Sequence, residues 1–334
     1  MEKVRAAING FGRIGRLSLR AMLENDRVEC VAINDLADVP SLVHLLKYDS
    51  VHGLFPYSVR AGKGEMIIND KVRIKCFNEK DPLQLPWLDL NVDIVLESTG
   101  IFLTRELALK HRKAGAKKVV LSAPGKSSDI PTVVMGVNQE TLKSEDCIIS
   151  NASCTTNCLA PMAKVINDYF GIQRGFMTTI HAYTADQNLM DAPHSDLRRA
   201  RSAVVSIVPT TTGATKATEI VLPDLLGKLS GSAMRVPVIC GSATEFTFTL
   251  DKTPSVEAIN TRIQEAASGD LKGILQYVED PIVSTDIIGN FHSCIFDSLL
   301  TAQNDNLYRC MAWYDNEYAY AYRSVELMEY AMSL

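Results

Sequence analysis

The chain has 334 residues, 46% of them hydrophobic and 22% charged, which is enough to bury sizeable cores in about two domains of ordinary size. A formal charge of -5 argues against general binding to nucleic acid or an anionic membrane, although local basic clusters remain able to take a small phosphorylated ligand. Eight cysteines at irregular spacing, no apolar span of ~18 residues and no leader-like stretch before Val4 point to reduced thiols in a cytoplasmic protein. No metal site is expected.

In chain order, the first half alternates β-like apolar runs with amphipathic helical stretches, the pattern of a parallel sheet with crossover helices. Residues 4–8 and 28–34 read as strands, and between them 13–24 reads as a helix with Ile14, Leu17 and Met22 on its apolar face. Gly10-Phe11-Gly12-Arg13-Ile14-Gly15 joins that strand to that helix, and Asp35 follows the second strand, twenty residues beyond Gly15. The glycines permit a tight turn and close approach of backbone to a diphosphate, whose charge falls on the amides of Arg13 and Ile14. A carboxylate at Asp35 accepts from ribose hydroxyls and repels a 2′-phosphate, so the prediction is a dinucleotide site for NAD rather than NADP.

Asn69-Asp70 divides 66–68 from 72–77, which predicts a hairpin inserted in the sheet. Residues 93–98, 118–122 and 132–137 read as its remaining strands. After Ser150 strand-like segments predominate, at 177–183, 203–208 and 243–250, with a helix pattern at 255–267. At the end, 317–332 places Tyr318, Tyr322, Val325 and Met328 at helical spacing. The expected fold is α/β: a Rossmann-type doubly wound parallel sheet domain over 1–152, completed by a C-terminal helix at 317–334, and an α+β catalytic domain with a mainly antiparallel sheet over 153–316.

Ser150-Asn151-Ala152-Ser153-Cys154-Thr155-Thr156-Asn157-Cys158 precedes an apolar-periodic run, so Cys154 falls near a helix start. A helix N-terminus or an adjacent imidazolium lowers a thiol pKa and readies it as a nucleophile. Most intracellular cysteines are instead small buried apolar residues, and Cys158, one turn deeper, is read that way. The i,i+4 cysteines lack a second close Cys/His pair and make a weak zinc signal. His181 lies in a strand pattern and is followed by the polar residues Thr184, Asp186, Gln187 and Asn188, company that favours a base over a structural histidine. Arg198, Arg199 and Arg201, then Thr212 and Gly213, resemble parts of an anion site, although a solvated basic loop explains at least two of those arginines. Arg235, alone in an apolar run, needs an anionic partner.

From Ala7 to nearly the C-terminus the chain resembles the phosphorylating, glycolytic, NAD-dependent glyceraldehyde-3-phosphate dehydrogenases. The most specific piece is Ser-Asn-Ala-Ser-Cys-Thr-Thr-Asn-Cys-Leu-Ala-Pro at 150–161, supported by Ile-Asn-Gly-Phe-Gly-Arg-Ile-Gly-Arg at 8–16, Leu-Lys-Tyr-Asp-Ser-Val-His-Gly at 46–53, Asp-Leu-Arg-Arg-Ala-Arg at 196–201 and Trp-Tyr-Asp-Asn-Glu at 313–317. The resemblance implies Cys154 as nucleophile and His181 as the group that activates it. It implies Ser153, Thr155, Thr212 and Gly213 around the attacking inorganic phosphate, and Thr184, Arg199 and Arg235 around the substrate's C3 phosphate. Arg13, Ile14, Asp35, Lys80, Ser122 and Asn316 match cofactor contacts, with Asn316 on the nicotinamide amide; at Lys80 the family often has arginine, but the contact is usually made by backbone. Leu36 and Pro193 look like the NAD-selective members.

The implied chemistry is oxidation of D-glyceraldehyde 3-phosphate to 1,3-bisphosphoglycerate through a hemithioacetal and a thioester on Cys154, in a homotetramer. An erythrose-4-phosphate dehydrogenase, or a redox-sensing or binding protein without turnover, is the alternative. Two departures stand out. Where the family usually continues Thr-Pro-Asn-Val-Ser-Val-Val-Asp-Leu, the chain has Val238-Ile239-Cys240-Gly241-Ser242-Ala243-Thr244-Glu245-Phe246, on a strand that usually contributes to subunit contacts. Ala319 replaces a glycine, which would strain the turn after Asn316 by about 1 kcal/mol or more if the position needs a positive φ.

Overall fold

The computed structural model describes residues 3–334; Met1 and Glu2, on which the expected lack of a leader partly rests, lie outside the described residues. Two compact units emerge. One comprises the residues up to Val133, Glu140–Ala152 and Ala321–Leu334, and the other Val134–Gln139 and Ser153–Tyr320.

The first unit is built on β1 (Val4–Asn9), β2 (Val28–Asn34), β3 (Val59–Gly62), β4 (Glu65–Ile68), β5 (Val72–Phe77), β6 (Ile94–Glu97), β7 (Lys118–Leu121) and β8 (Ile148–Ser150). Their order is β8-β7-β6-β1-β2-β5-β4-β3. Pairing from β8 through β2 to β5 is parallel, and β3, β4 and β5 are antiparallel. Ala6, Ala7 and Ile8 on β1, like Ile94, Val95 and Leu96 on β6, are fully buried, as expected of parallel strands covered on both faces. The hairpin turn carries Asn69 at φ 50 and Asp70 at φ 55, residue types that tolerate the left-handed region. The segment 132–137 is not a strand. Only Thr132 bridges Ser150, and the sheet ends instead on β8, whose Ile148, Ile149 and Ser150 are all buried.

Helix α1 (Arg13–Glu24) starts at Gly12 without a side-chain cap and buries Leu17, Leu19, Ala21 and Met22. Helices α2 (Val39–Lys47) and α3 (Arg105–Lys113) are capped conventionally, by Asp38 on the Ser41 amide and Thr104 on the Leu107 amide.

The second unit holds α4 (Cys154–Phe170), β9 (Ile172–Ala182), β10 (Val208–Thr210), α5 (Ala214–Val221), β11 (Leu229–Val236), β12 (Ser242–Leu250), α6 (Val256–Ser268), β13 (Leu275–Val278), β14 (Cys294–Asp297), β15 (Ala302–Asn304) and β16 (Leu307–Tyr314). The order is β10-β11-β9-β12-β16-β14-β13, with β15 paired to β16; β9–β11 and β13–β14 are parallel and the other pairs antiparallel. One face of this sheet packs on α4 through Leu159, Met162 and Ile166 against Phe246, Phe248 and Tyr308, where Phe246 and Phe248 stack at 4.8 Å. Burying each such ring contributes about 2 kcal/mol. Residues 203–208 are not the expected strand: the chain turns there with Val205 and Ile207 exposed, and pairing begins only at Val208. Helix α7 (Tyr318–Ser333) closes the chain, and its residues from Ala321 onward belong to the first unit. No helix among the described residues is long and apolar enough to cross a membrane.

Candidate functional site

In the first unit, three glycines make the turn between β1 and α1. Gly10 has φ 93, and a Cβ there would lie 2.8 Å from the Ser98 carbonyl carbon and the Thr99 nitrogen. At Gly15 a Cβ would come within 2.2 Å of Gly10 O, so only glycine lets the helix pack this closely. A Cβ on Gly12 would meet nothing within 4 Å. The open position is therefore the one at the uncapped helix N-terminus, where a diphosphate needs backbone access. Asp35 Oδ2 accepts from the Phe11 amide at 2.7 Å and Oδ1 from the Ala37 amide at 3.0 Å, tying the carboxylate to the glycine turn. Arg13 directs its side chain to Asp49, at 2.7 and 3.1 Å, which leaves its role toward a ligand to the backbone. Ser122 donates its amide to Glu97 O at 2.9 Å, at the end of β7. Lys80 is exposed and makes no side-chain hydrogen bond or ion pair among the described residues.

Asp49 is a residue that the motif at 46–53 contained but that sequence reasoning gave no role. Burial opposes its charge, yet hydrogen bonds from His52, Arg13 and the amides of His52 and Val51 hold the carboxyl well below the usual range.

In the second unit, Ser153 caps α4, its Oγ accepting from the Thr156 amide at 3.1 Å, so that Cys154 is the first helical residue. Immediately before Ser153, Ala152 sits at φ 54, a left-handed conformation that costs a non-glycine residue about 1 kcal/mol. Cys154 Sγ lies 3.4 Å from His181 Nε2. His181 is held from behind: its Nδ1 is 2.6 Å from Ala182 O and 2.8 Å from Arg235 Nη1, which also donates to Ala182 O at 3.0 Å. Turning Nδ1–H to Ala182 O leaves Nε2 free to accept from sulfur, whereas Nδ1 accepting from Arg235 sends Nε2–H toward sulfur. The ring can thus act as base or acid toward one atom. Strand register explains the juxtaposition, because His181 on β9 pairs directly with Arg235 on β11.

Burial weighs against charge on either partner. Burial pushes the Cys154 thiol up to about 11, with Arg235 foremost among the groups pulling it back. Burial and then the Arg235 charge push His181 down to about 3. The expectation that the thiol pKa is lowered is corrected in direction: the helix start is present, but burial outweighs it and the Arg235 charge.

From Arg235 a polar chain runs outward. Its Nη1 reaches Thr184 Oγ1 at 3.3 Å, the Thr184 hydroxyl donates to Asp186, and Asp186 pairs with Arg199 at 2.6 Å. Arg199 Nε donates to Thr210 Oγ1 at 3.0 Å, and Thr210 to Asp196 at 2.7 Å. Thr184, Arg199 and Arg235 are therefore brought together. Arg201 pairs with exposed Asp191, as a surface arginine does. Arg235 keeps donors in reserve: Nε is buried without a partner, and Nη2 has none among the described residues. Thr212 and Gly213 form the entry to α5, with Thr212 Oγ1 accepting from the Ala214 amide at 3.1 Å and open space beside Gly213. No hydrogen bond connects them to Ser153 or Cys154 among the described residues. The Thr155 hydroxyl is buried against Tyr314 at 2.9 Å, so it is not free to meet a phosphate without rearrangement.

Tyr314 was missed. Its hydroxyl joins Thr155 to Thr179, at 2.9 and 2.8 Å, and its ring meets His181 edge-on at 5.9 Å; its place in the Trp313–Glu317 motif was the available signal. Asn316 Oδ1 accepts from the Gly241 amide at 3.2 Å and Ser242 Oγ at 2.8 Å, leaving Nδ2 without a partner among the described residues. The Val238–Phe246 departure thus supplies the groups that orient Asn316. Ala319 lies inside α7 and is absent from the positive-φ positions, so the anticipated strain does not arise. Cys158 is fully buried in the core.

The model of the glyceraldehyde 3-phosphate dehydrogenase NAD binding domain matches residues 4–105, and that of the C-terminal domain matches 153–316. The chain belongs to the glyceraldehyde 3-phosphate dehydrogenase family. It is 53% identical over 329 residues to the glyceraldehyde-3-phosphate dehydrogenase of Priestia megaterium, covering 98% of each chain. It is 52% identical over 333 residues to that of Geobacillus stearothermophilus, covering 99% of this chain and 98% of the other, and 53% identical to that of Mycobacterium avium, covering 97% of each. Membership in this family fits a Rossmann sheet followed by a mainly antiparallel one, and it makes the chain an NAD-dependent oxidoreductase.

Proposed function

We propose that the chain oxidises D-glyceraldehyde 3-phosphate with NAD and inorganic phosphate to 1,3-bisphosphoglycerate, through a thioester on Cys154. The observation that best supports this reading is the 3.4 Å approach of Cys154 Sγ to His181 Nε2, with Arg235 behind the ring holding unused donors.

In the first step Sγ bonds to the aldehyde carbon while the thiol proton passes to Nε2, and the same proton returns to the carbonyl oxygen to give a hemithioacetal. NAD, when bound, supplies the hydride acceptor for the second step, and its diphosphate and ribose suit the Gly12–Ile14 turn and Asp35. His181 takes the hemithioacetal hydroxyl proton as the carbon–hydrogen bond breaks, leaving the thioester. A phosphate oxygen then attacks that carbon, the carbon–sulfur bond breaks, and His181 returns a proton to the departing sulfur. Arg235, Arg199 and Thr184 hold the C3 phosphate, while Ser153, Thr212 and Gly213 surround the attacking phosphate and Thr155 joins them only once its hydroxyl turns away from Tyr314. Fixed donors of this kind lower the barrier by orientation and charge stabilisation. Asn316 offers its Nδ2 side to the nicotinamide carboxamide.

The working molecule in this reading is a cytoplasmic homotetramer. All eight cysteines are unpaired thiols, in keeping with a reducing compartment, and the sheet face opposite α4 exposes Phe176 and Leu307, surface that a second copy would cover. NADH formation with and without inorganic phosphate, using the triose and the tetrose phosphates, tests the reading. Phosphate-dependent turnover favouring the triose is expected; a clear preference for the tetrose, or no turnover, rejects it.

A further inference from the structure

At the carboxyl ends of β1, β2 and β6 lies a closed polar cluster. Asn9, Asn34 and Glu97 are the last residues of those strands, and Asn9, Glu97, His111 and Trp87 are at most 1% exposed. Trp87 Nε1 lies 3.0 Å from His111 Nδ1. An indole N–H can only donate, so Nδ1 accepts and the ring is a neutral imidazole with its proton on Nε2, 3.0 Å from Glu97 Oε2. Glu97 Oε2 also accepts from Asn9 Nδ2 at 2.6 Å, and Oε1 from the Thr99 amide at 2.8 Å and from the Thr99 hydroxyl. Each of these groups donates, which suits an acceptor-only carboxylate. No cation is among its partners in the described residues.

The cluster stands at a particular place in the sheet. From β1 the order runs one way through β2 and the other way through β6, β7 and β8, so the β1/β6 boundary is the topological switch point, where open α/β sheets receive their ligand. Ser98 next to Glu97 donates to Gly10 O at 2.7 Å, fastening this strand end to the glycine turn. Asp35 beyond β2 marks the adenosine half of a dinucleotide, and the other half falls on the β6 side. A buried charge there acts through low-dielectric protein rather than water.

We infer that Glu97 is a fixed negative charge that makes this protein hold the oxidised, cationic nicotinamide cofactor in preference to the reduced, neutral one. The inference rests on the proposed NAD-dependent function and adds to it a specificity-determining residue that touches neither the thiol nor the glycine turn's ligand face. Neutral His111 is essential to it: it satisfies an oxygen of Glu97 without cancelling its charge.

The test is fluorescence titration of the full-length, cofactor-stripped protein with NAD and with NADH, reading the ratio of the two Kd values. Glu97→Gln should move that ratio about tenfold against NAD, mainly by weakening NAD, while Glu97→Asp, which keeps the charge but shortens the reach, should move it far less. A Glu97→Gln ratio equal to that of the wild type overturns the inference, as does an equal shift in both variants, which would indicate geometry rather than charge. Wild-type protein that binds neither cofactor form would instead reject the NAD-dependent function itself. Should Glu97→Gln not fold by circular dichroism, Trp87→Phe decides. It withdraws the indole N–H that holds Nδ1 as an acceptor, and so removes the contact that keeps the ring neutral opposite Glu97; Asn9 and the Phe102 ring are its other neighbours. The ratio should then move against NAD at pH 6 relative to pH 8 in the variant and hold in the wild type, and a flat variant overturns the inference.

Discussion

The strand ends of the first unit and the thiol site of the second handle polar groups in opposite ways. Around Asn9, Asn34, Asp35 and Glu97 the side-chain oxygens are met by donors from within the unit. Behind His181 the protein leaves valence unused, at Arg235 Nε. A buried donor without a partner costs about 1 to 3 kcal/mol, a cost that an anion bound as proposed would offset. In the proposed reading the contrast is between a surface that takes a cofactor on its backbone and a site that takes anions on its side chains.

Four substitutions probe that contrast. The largest effect is expected at the sulfur, where Cys154→Ser should lower turnover by about ten-thousandfold or more while NAD titration still saturates; near-normal turnover would refute the covalent route. His181→Asn should lower kcat by about a thousandfold, and a change confined to KM would show that the imidazole binds rather than transfers protons. On the nucleotide side, Asp49→Asn removes a buried partner of Arg13 and should cost about 3 kcal/mol, read as a lower Tm at pH 7. Because the folded-state pKa of Asp49 lies below its unfolded value, its stabilisation is present above about pH 4 and is lost as pH falls further. The wild type should therefore lose Tm through that acid range more steeply than Asp49→Asn, and parallel curves would count against the pairing. The smallest effect is at Asp35: Asp35→Ala should weaken NAD by about tenfold and narrow the gap to NADP, and an unchanged ratio would remove Asp35 from the ribose.

Legibility in the sequence followed the range of the interaction. The turn from Gly10 to Gly15, α1 and the hairpin at Asn69-Asp70 were readable because backbone sterics within a few residues determine them. The segments 132–137 and 203–208 were misread as strands because an apolar run gains a strand's shape only from a paired neighbour, and the neighbour here is present only at Thr132 and from Val208 onward. Ala319 was judged by a missing glycine, yet α7 begins one residue earlier and sets a helical φ.

The sequence by itself determined the two architectures, the glycine turn, the helix start at Cys154 and the residue types of the site, since each is encoded by periodicity or short motifs. Only the tertiary structure decided that His181 meets Arg235 across β9 and β11, that burial weighs against charge on the thiol and imidazole, that Tyr314 braces them, and that Glu97 is sealed beside His111. Those facts depend on strand register and on the exclusion of water, both of which arise when distant segments pack and neither of which is written in local sequence.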